Sequence, residues 1–241
     1  MYNMENHHDI REINKIGLDS YLQDYEFPDL EELLKDAIEK LHADLKEAGK
    51  EYDEAVEKES NKEYIGFPYI TDEIFSIQER LLSVYEMIIV NDYKEFELVV
   101  KRLLKASLDF DEKDFRSFEN LKPLLKSKGI SIAKVKYYND INDLRKINNH
   151  IKHSKIGEIP DDLKQIKEFR KTKNLSYMEL MQFHQRVKDL RYNFIFDLKG
   201  KIYSYLYEFD DNRVKNIALR LMKRMGSKHI NLLIKKLTEL K

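Results

Sequence analysis

Cysteine is missing from this 241-residue sequence, and glycine and proline are scarce. Without cysteine the chain can form neither disulfide bonds nor thiolate metal sites, which excludes disulfide-stapled extracellular folds and sulfur-based zinc sites. The 7 glycines and 4 prolines encode few tight turns. The sequence therefore favours long helices over many short strands.

Long hydrophobic runs are also missing. The densest apolar stretch, LLSVYEMIIV at residues 81–90, is about half the ~20 residues that a membrane-spanning helix needs. The N-terminal sequence MYNMENHHDIREI lacks the basic region and apolar core of a secretory signal peptide. We therefore expect a cytoplasmic protein with no membrane partner.

Charged residues are abundant, at 36% of the chain, but their signs are unevenly distributed. Residues 1–60 contain 18 acidic against 7 basic residues, whereas residues 212–241 contain 9 basic residues and one acid, Glu239. One interpretation is a pair of solvated helical faces that attract each other within or between subunits. The other is that the basic C-terminal segment contacts nucleic acid. No aromatic residue is interleaved in that segment, so stacking on single-stranded bases is not indicated.

Helical periodicity runs through most of the chain. Asp29, with Glu32 three positions later, is the predicted N-cap of a helix. The apolar stripe of this helix consists of Leu30, Leu33, Leu34, Ala37, Ile38 and Leu41. Thr71 is the predicted N-cap of one long helix or of two in series. In the second alternative the break falls at residues 91–92. Residues 112–127 predict a shorter helix with Phe115, Phe118, Leu121 and Leu125 inward, ended by Gly129.

The second half of the chain gives the same pattern. A short extended piece is expected at GISIAKV, followed by a helix from Tyr137 and a polar loop over 155–174. Ser176 and Glu179 form a second capping box, which opens the predicted longest helix, running to Leu206. Gly226 separates two short helices. We predict an all-α antiparallel bundle, divided into an N-terminal arm (1–27), a helical-bundle domain (28–208) and a basic C-terminal helical segment (209–241).

The stretch INDLRKINNHIKHSK, residues 141–155, concentrates the polar chemistry. On a helical wheel centred on Leu144, a core face forms from Tyr137, Ile141, Ile147 and Ile151. Asn148 falls inside this face, at about 40°. A buried asparagine without hydrogen-bond partners costs roughly 1–3 kcal/mol. Asn148 is therefore expected either to tie down neighbouring backbone or to belong to a site.

Arg145, Asn149 and His153 follow each other at i, i+4 and i+8 and share one flank of the same helix. Lys152 lies on this side, whereas His150 points away from it. Arginine holds phosphate as a planar, permanently charged fork, and histidine transfers protons near neutral pH. Together they suffice for metal-free cleavage of RNA. The alternative from spacing alone is an ordinary polar surface or a contact with another subunit.

An arginine followed four to six residues later by a histidine, near the end of a helix in an all-α bundle, resembles the HEPN superfamily. RKINNH (Arg145 to His150) has this spacing, and NNHIKHS resembles the Arg-Asn-x-x-Lys-His-Ser ending of many members. In the second register Asn149, Lys152 and His153 match, and Asn148 stands where the family has arginine. Arg145 lies one turn earlier and could substitute.

The resemblance implies a metal-independent endoribonuclease of a toxin–antitoxin or antiviral system, without a cofactor, whose homodimer forms a composite site on RNA. Arg145 would hold the scissile phosphate, and His153 or His150 would perform acid–base catalysis. Asn149 would orient them, with Lys152 and Asn148 as substrate contacts. Some members of the superfamily are non-catalytic, so an adaptor or antitoxin-like module with a protein partner is the alternative.

Other sites are weaker. NNHIKHS is also similar to the asparagine helix of histidine-kinase-type ATPases, but the Asp-x-Gly-x-Gly loop of that fold is missing. His42, His184 and His229 are isolated and are expected to be ordinary helical residues. The cluster at residues 7–9 is not expected to bind metal, and the sequence contains no Glu-x-x-His pair of the di-iron bundles. A generic structural bundle is a third interpretation.

Overall fold

The structure, a computed structural model, describes residues 27, 29–60, 67–108, 118–153 and 159–240. The predicted N-terminal arm (except Phe27), its histidine cluster at 7–9, Phe115 and Ser154 lie outside these residues. The described residues form helices, short 3-10 segments and turns, with no strand among them. The predicted all-α bundle is therefore confirmed.

The helices are named in chain order. They are α1 (Leu30–Leu33), α2 (Lys35–Ser60), α3 (Phe67–Leu108), α4 (Phe118–Ser127), α5 (Tyr138–His153), α6 (Tyr177–Val187), α7 (Leu190–Tyr207), α8 (Asp211–Arg224) and α9 (Ser227–Glu239).

Helix α1 begins as predicted, because the Asp29 carboxylate accepts a hydrogen bond from the Glu32 amide at 3.1 Å. The predicted apolar stripe is wrong at two positions, since Leu33 is 77% exposed and Ala37 is exposed. At Leu34 the backbone leaves helical geometry (φ −98°, ψ 3°), which separates α1 from α2. The bend changes the face that each helix turns toward the core.

Helix α3 is the longest element, with 42 residues and a length of about 63 Å. It begins at Phe67, so the prediction of Thr71 as its N-cap is wrong. Of the two alternatives, one long helix is confirmed, because α3 continues through residues 91–92. Asp92 is only 1% exposed and occupies a core position between Ile89 and Phe96. Its polarity suggests a loop, but its position on the stripe belongs to a buried helix.

The single longest helix predicted from Ser176 to Leu206 is instead two helices, α6 and α7. Lys188 and Asp189 separate them while keeping right-handed helical angles (φ −54° and −81°). The Ser176 hydroxyl contacts the Glu179 carboxylate, although it does not cap the backbone. The capping-box pair is present and the helix start is correct, but helical periodicity did not reveal the interruption.

Helix α4 buries Phe118, Leu121 and Leu125 and ends as predicted at Gly129, which adopts a left-handed φ of 76°. The Ile130 amide closes the end by donating to the Leu125 carbonyl at 2.9 Å. GISIAKV forms a 3-10 turn at Ile132–Lys134 rather than the expected extended piece. Two C-terminal helices follow α7, and Gly226 separates them as predicted.

Aromatic and ionic contacts fix the direction of the helices. Phe96 of α3 packs edge-on against Phe194 of α7 at 5.5 Å, and both contact Phe118 of α4. Asp92 and Arg191 pair one turn earlier on the same two helices, so α3 and α7 run parallel. Helix α5 runs antiparallel to them, since its start lies beside α7 and its second turn beside α6. No helix among the described residues is long and apolar enough to cross a membrane.

Candidate functional site

The core face of α5 is close to the predicted one. Ile141, Leu144 and Ile147 are fully buried, and Ile151 packs partly against the core. Tyr137 is the exception: it is 41% exposed and has a positive φ of 62°. This left-handed conformation places Tyr137 before the helix, which begins at Tyr138.

Asn148 is buried, as the wheel predicted, with 1% of its surface exposed. Its side-chain amide donates to the Asn149 carbonyl oxygen Oδ1 at 3.2 Å. Its own Oδ1 is buried and accepts no hydrogen bond from the described residues. Such an orphaned acceptor costs about 1–3 kcal/mol. Asn148 therefore fixes the side chain of Asn149 at some expense in stability.

The flank predicted from the i, i+4, i+8 spacing is a continuous surface, because α5 is helical through His153. Asn149, Lys152 and His153 are exposed, and Arg145 is half-buried. Successive members of the series lie about 5–6 Å apart on such a helix. The Arg145 guanidinium donates to the Asn142 side-chain oxygen at 3.2 and 3.3 Å. We call Arg145, Asn149 and His153 the polar row.

His150 faces a different part of the chain. It is half-buried on the side where the Lys146 ammonium donates to the Asp162 carbonyl at 3.5 Å. Burial lowers the pKa of His150, and the Asp162 carboxylate opposes this shift. The structure thus places His153 on the same flank as Arg145 and Asn149, two turns beyond Arg145, and directs His150 toward the segment after residue 159.

The first turns of α5 are held by an ionic clamp. Arg186 of α6 pairs with Asp140, with Asp143 at 3.4 Å and with Glu168 at 2.9 Å. Burial raises the pKa of Asp143, and the Arg186 charge opposes that shift. Because Asp140 and Asp143 belong to α5 and Glu168 to the preceding 3-10 turn, the clamp fixes α5 against α6.

A second polar group, which we call the buried ion cluster, comprises Asp92, His184 and Arg191. Their exposures are 1%, 1% and 5%. The Asp92 carboxylate lies 2.6 Å from Arg191 Nη1 and 3.0 Å from His184 Nε2. Asp92 Oδ2 and Arg191 Nη1 nevertheless lie outside hydrogen-bonding geometry. The Asp92–Arg191 contact is an ion pair between two groups that are nearly inaccessible to solvent.

The N-terminal part of the described chain covers the buried ion cluster. Glu31 of α1 lies 3.5 Å from His184 Nδ1 and 3.2 Å from the Lys188 ammonium. The hydrogen bond that the Lys188 ammonium donates to the Glu31 carboxylate raises the pKa of Lys188, and burial opposes this shift. The Phe27 ring lies 4.8 Å from the Arg191 guanidinium and lines a 530 Å³ cavity beside it. The cluster thus joins α1, α3, α6 and α7.

Sequence reasoning missed the buried ion cluster and treated His184 as ordinary. The signal was present, because all three residues occupy core positions in apolar helical stripes. Asp92 stands between Ile89 and Phe96, His184 follows Phe183, and Arg191 precedes Phe194 by one turn. A charged residue on such a stripe needs an opposite charge on a facing helix. The same comparison of polarity with position on an apolar stripe identifies Asn148 on α5.

This chain matches no family model, no curated protein and no solved structure. Within the described residues, no group of three or more histidine or acidic side chains could hold a metal ion.

Proposed function

We propose that this protein is a metal-independent endoribonuclease that acts as a dimer, of the kind found in bacterial toxin and antiphage-defence systems. The observation that carries this proposal is the polar row on α5. It presents an arginine, an asparagine and a histidine on one face, while the opposite face is locked into the core. The HEPN-like sequence pattern falls on the same residues.

The chemistry follows from the groups in the row. Arg145 can bind a phosphate oxygen and stabilise the charge that develops on it. Asn149 accepts from Asn148 through Oδ1, so its Nδ2 is the group left to donate to the substrate. His153 can take the proton of the ribose 2′-hydroxyl as that oxygen attacks phosphorus, or protonate the leaving 5′-oxygen.

A dimer would supply the second acid–base group that a single polar row lacks. Cleavage needs one base and one acid, and a single imidazole cannot hold both protonation states at once. The polar row provides one histidine, since His150 faces another part of the chain. Two rows related by a two-fold axis would supply both groups. Arg145 of each copy would then flank the same phosphate.

The test is RNA cleavage by the purified full chain in the presence of EDTA. We expect Arg145→Ala to slow cleavage about 10²–10³-fold and His153→Ala about 10²–10⁴-fold. Arg102→Ala is a matched control at an exposed position of α3 and should cleave at the wild-type rate. Equal rates for the row variants and the wild type would contradict the proposal.

The second candidate is a non-catalytic interaction module, an adaptor or antitoxin-like partner. The burial of Asn148 favours it, because this residue occupies the arginine position of the closer motif match and cannot reach a substrate. In this case the wild type would leave RNA intact with and without EDTA, and Arg145→Ala would weaken binding of a protein partner. Intact RNA in every arm would favour this candidate over the nuclease.

A further inference from the structure

The C-terminal arm, residues 211–240, leaves a large apolar surface uncovered. Its two helices contain no buried residue. Nine of its large apolar side chains are 38–59% exposed. Their combined surface is of the same order as the roughly 800 Å² that each partner contributes to a standard interface. Isolated monomers rarely expose an apolar patch of this size, so the arm has the character of a docking element.

The apolar positions form one stripe on each arm helix. On α8, Val214, Ile217 and Leu221 recur at i, i+3 and i+7, and on α9 Ile234 and Leu237 continue the same spacing. Basic residues border the stripes: residues 211–240 contain 8 Lys or Arg against Asp211 and Glu239. The surface that covers the arm should therefore be apolar and acidic.

A surface of this description lies at the other end of the molecule. Between α2 and α3 is a 490 Å³ groove, the acidic groove, with four carboxylates and one arginine. The carboxylates belong to Asp44, Glu47, Glu51 and Glu73. Tyr69, one helical turn before Glu73 on the same face of α3, is 80% exposed. The acidic lining of the groove thus complements the basic borders of the arm, and Tyr69 adds an exposed apolar side chain beside it.

The arm and the acidic groove of its own chain lie at opposite ends of α3. Phe194 packs on Phe96, so α7, which runs parallel to α3, ends near the level of Leu108. The groove ends at Arg80, about 42 Å back along α3. Arg213 fastens the first turn of α8 to the end of α7 through the Ser204 carbonyl.

We propose that the C-terminal arm docks into the acidic groove of a second copy of this chain. A two-fold axis then gives two equivalent arm–groove contacts, so no apolar stripe is left uncovered. The inference goes beyond the proposed function and does not depend on it. Dimer assembly is measured without RNA, so a dimer that cuts nothing would overturn the nuclease and leave this inference standing.

The experiment measures the mass of the full chain by light scattering at micromolar concentration in low salt. The wild type should be a dimer. Arm reversal (Lys215→Glu/Arg224→Glu) and groove reversal (Glu47→Lys/Glu51→Lys) should each raise the dimer Kd by about a hundredfold or more. The control, Lys223→Glu/Lys228→Glu, changes net charge as much as arm reversal does, but on the face away from the stripes. It should weaken the dimer less than arm reversal.

Mixing the arm-reversal and groove-reversal variants gives the decisive measurement. The acidic arm of one variant meets the basic groove of the other, and the remaining contact is wild type. A mixed dimer should therefore form from two monomeric variants. A monomeric wild type, a groove reversal without effect, or a mixture that stays monomeric would each overturn the proposal. RNA or anionic vesicles binding to the arm of a monomeric wild type would do so as well.

An apolar variant keeps the test independent of charge. Leu221→Ser/Leu237→Ser should abolish the dimer while leaving the helical circular dichroism of the chain unchanged, because both side chains are exposed in the protomer. A dimer of wild-type affinity in this variant would count against docking through the stripes.

Discussion

The buried ion cluster and the polar row on α5 contain similar residue types in opposite surroundings. In the cluster, carboxylates from α1 and α3 face His184 and Arg191, and the groups are nearly inaccessible to solvent. In the row, Arg145 donates to the neutral side chain of Asn142, and His153 is open to solvent. Ionic pairing inside the cluster serves the fold. Asn149 and His153 face solvent on a regular helix, where a substrate can reach them.

The largest expected effect comes from breaking the buried ion cluster. Asp92→Ala leaves His184 and Arg191 without their shared carboxylate in a buried site, which should lower the free energy of unfolding by about 3–5 kcal/mol. Urea denaturation followed by circular dichroism measures this. Asp53→Ala, at an exposed position of α2, should change stability by less than about 0.5 kcal/mol. Equal effects from the two variants would show that the cluster is not structural.

Replacing all three residues of the buried ion cluster tests whether the cluster serves only the fold. The triple variant Asp92→Leu/His184→Leu/Arg191→Met removes every charge and keeps similar volumes. It should recover most of the stability that Asp92→Ala loses, because apolar replacements of buried ion networks are often neutral or stabilising. If the cluster only supports the fold, RNA cleavage by the triple variant should equal that of the wild type. Stable protein without cleavage would assign the cluster a part in the reaction.

A smaller effect is expected at Asn148, which is buried like the ion cluster but donates a hydrogen bond to Asn149 of the polar row. Asn148→Leu removes the orphaned buried oxygen, so the free energy of unfolding should stay equal or rise by about 1 kcal/mol. Asn149 loses its donor, and cleavage should fall about 5-fold, which corresponds to one neutral hydrogen bond of about 1 kcal/mol. The readouts are the urea midpoint and the single-turnover cleavage rate. A matched fall in both would make Asn148 purely structural.

Much of the fold was predictable from local signals. The Asp29 cap, the Gly129 end and the stripe Ile141–Leu144–Ile147 each depend on residues within two turns of one another. Local signals left one helix or two open at residues 91–92, where distant contacts decide between them. Asp92 suggests a loop by its polarity, and only Arg191 and His184, about a hundred residues away, explain why α3 continues through it.

The candidate site was predictable to the extent that it lies on one helix. Helical spacing placed Arg145, Asn149 and His153 on one flank and separated His150, and the regular helix through His153 preserves that arrangement. Periodicity within α5 could not show what His150 faces, because Asp162 belongs to a later segment. The acidic groove was also inaccessible to sequence reasoning, since α2 and α3 supply its carboxylates jointly.

The smallest expected effect concerns His150 and tests whether this residue is separate from the polar row. Burial lowers its pKa from the ordinary value of 6.5, and Asp162 partly offsets the shift. The unfolded chain therefore binds this proton more readily than the native protein does. The stability contribution of neutral His150 is complete above pH 6.5 and is lost as pH falls through the lowered native pKa. An NMR titration of the imidazole should give a midpoint below 6.5, and Asp162→Asn should lower it further. A higher pKa of His150 in Asp162→Asn than in the wild type would mean that His150 faces another charged group. His150 would then again be a candidate for the site that contains Arg145.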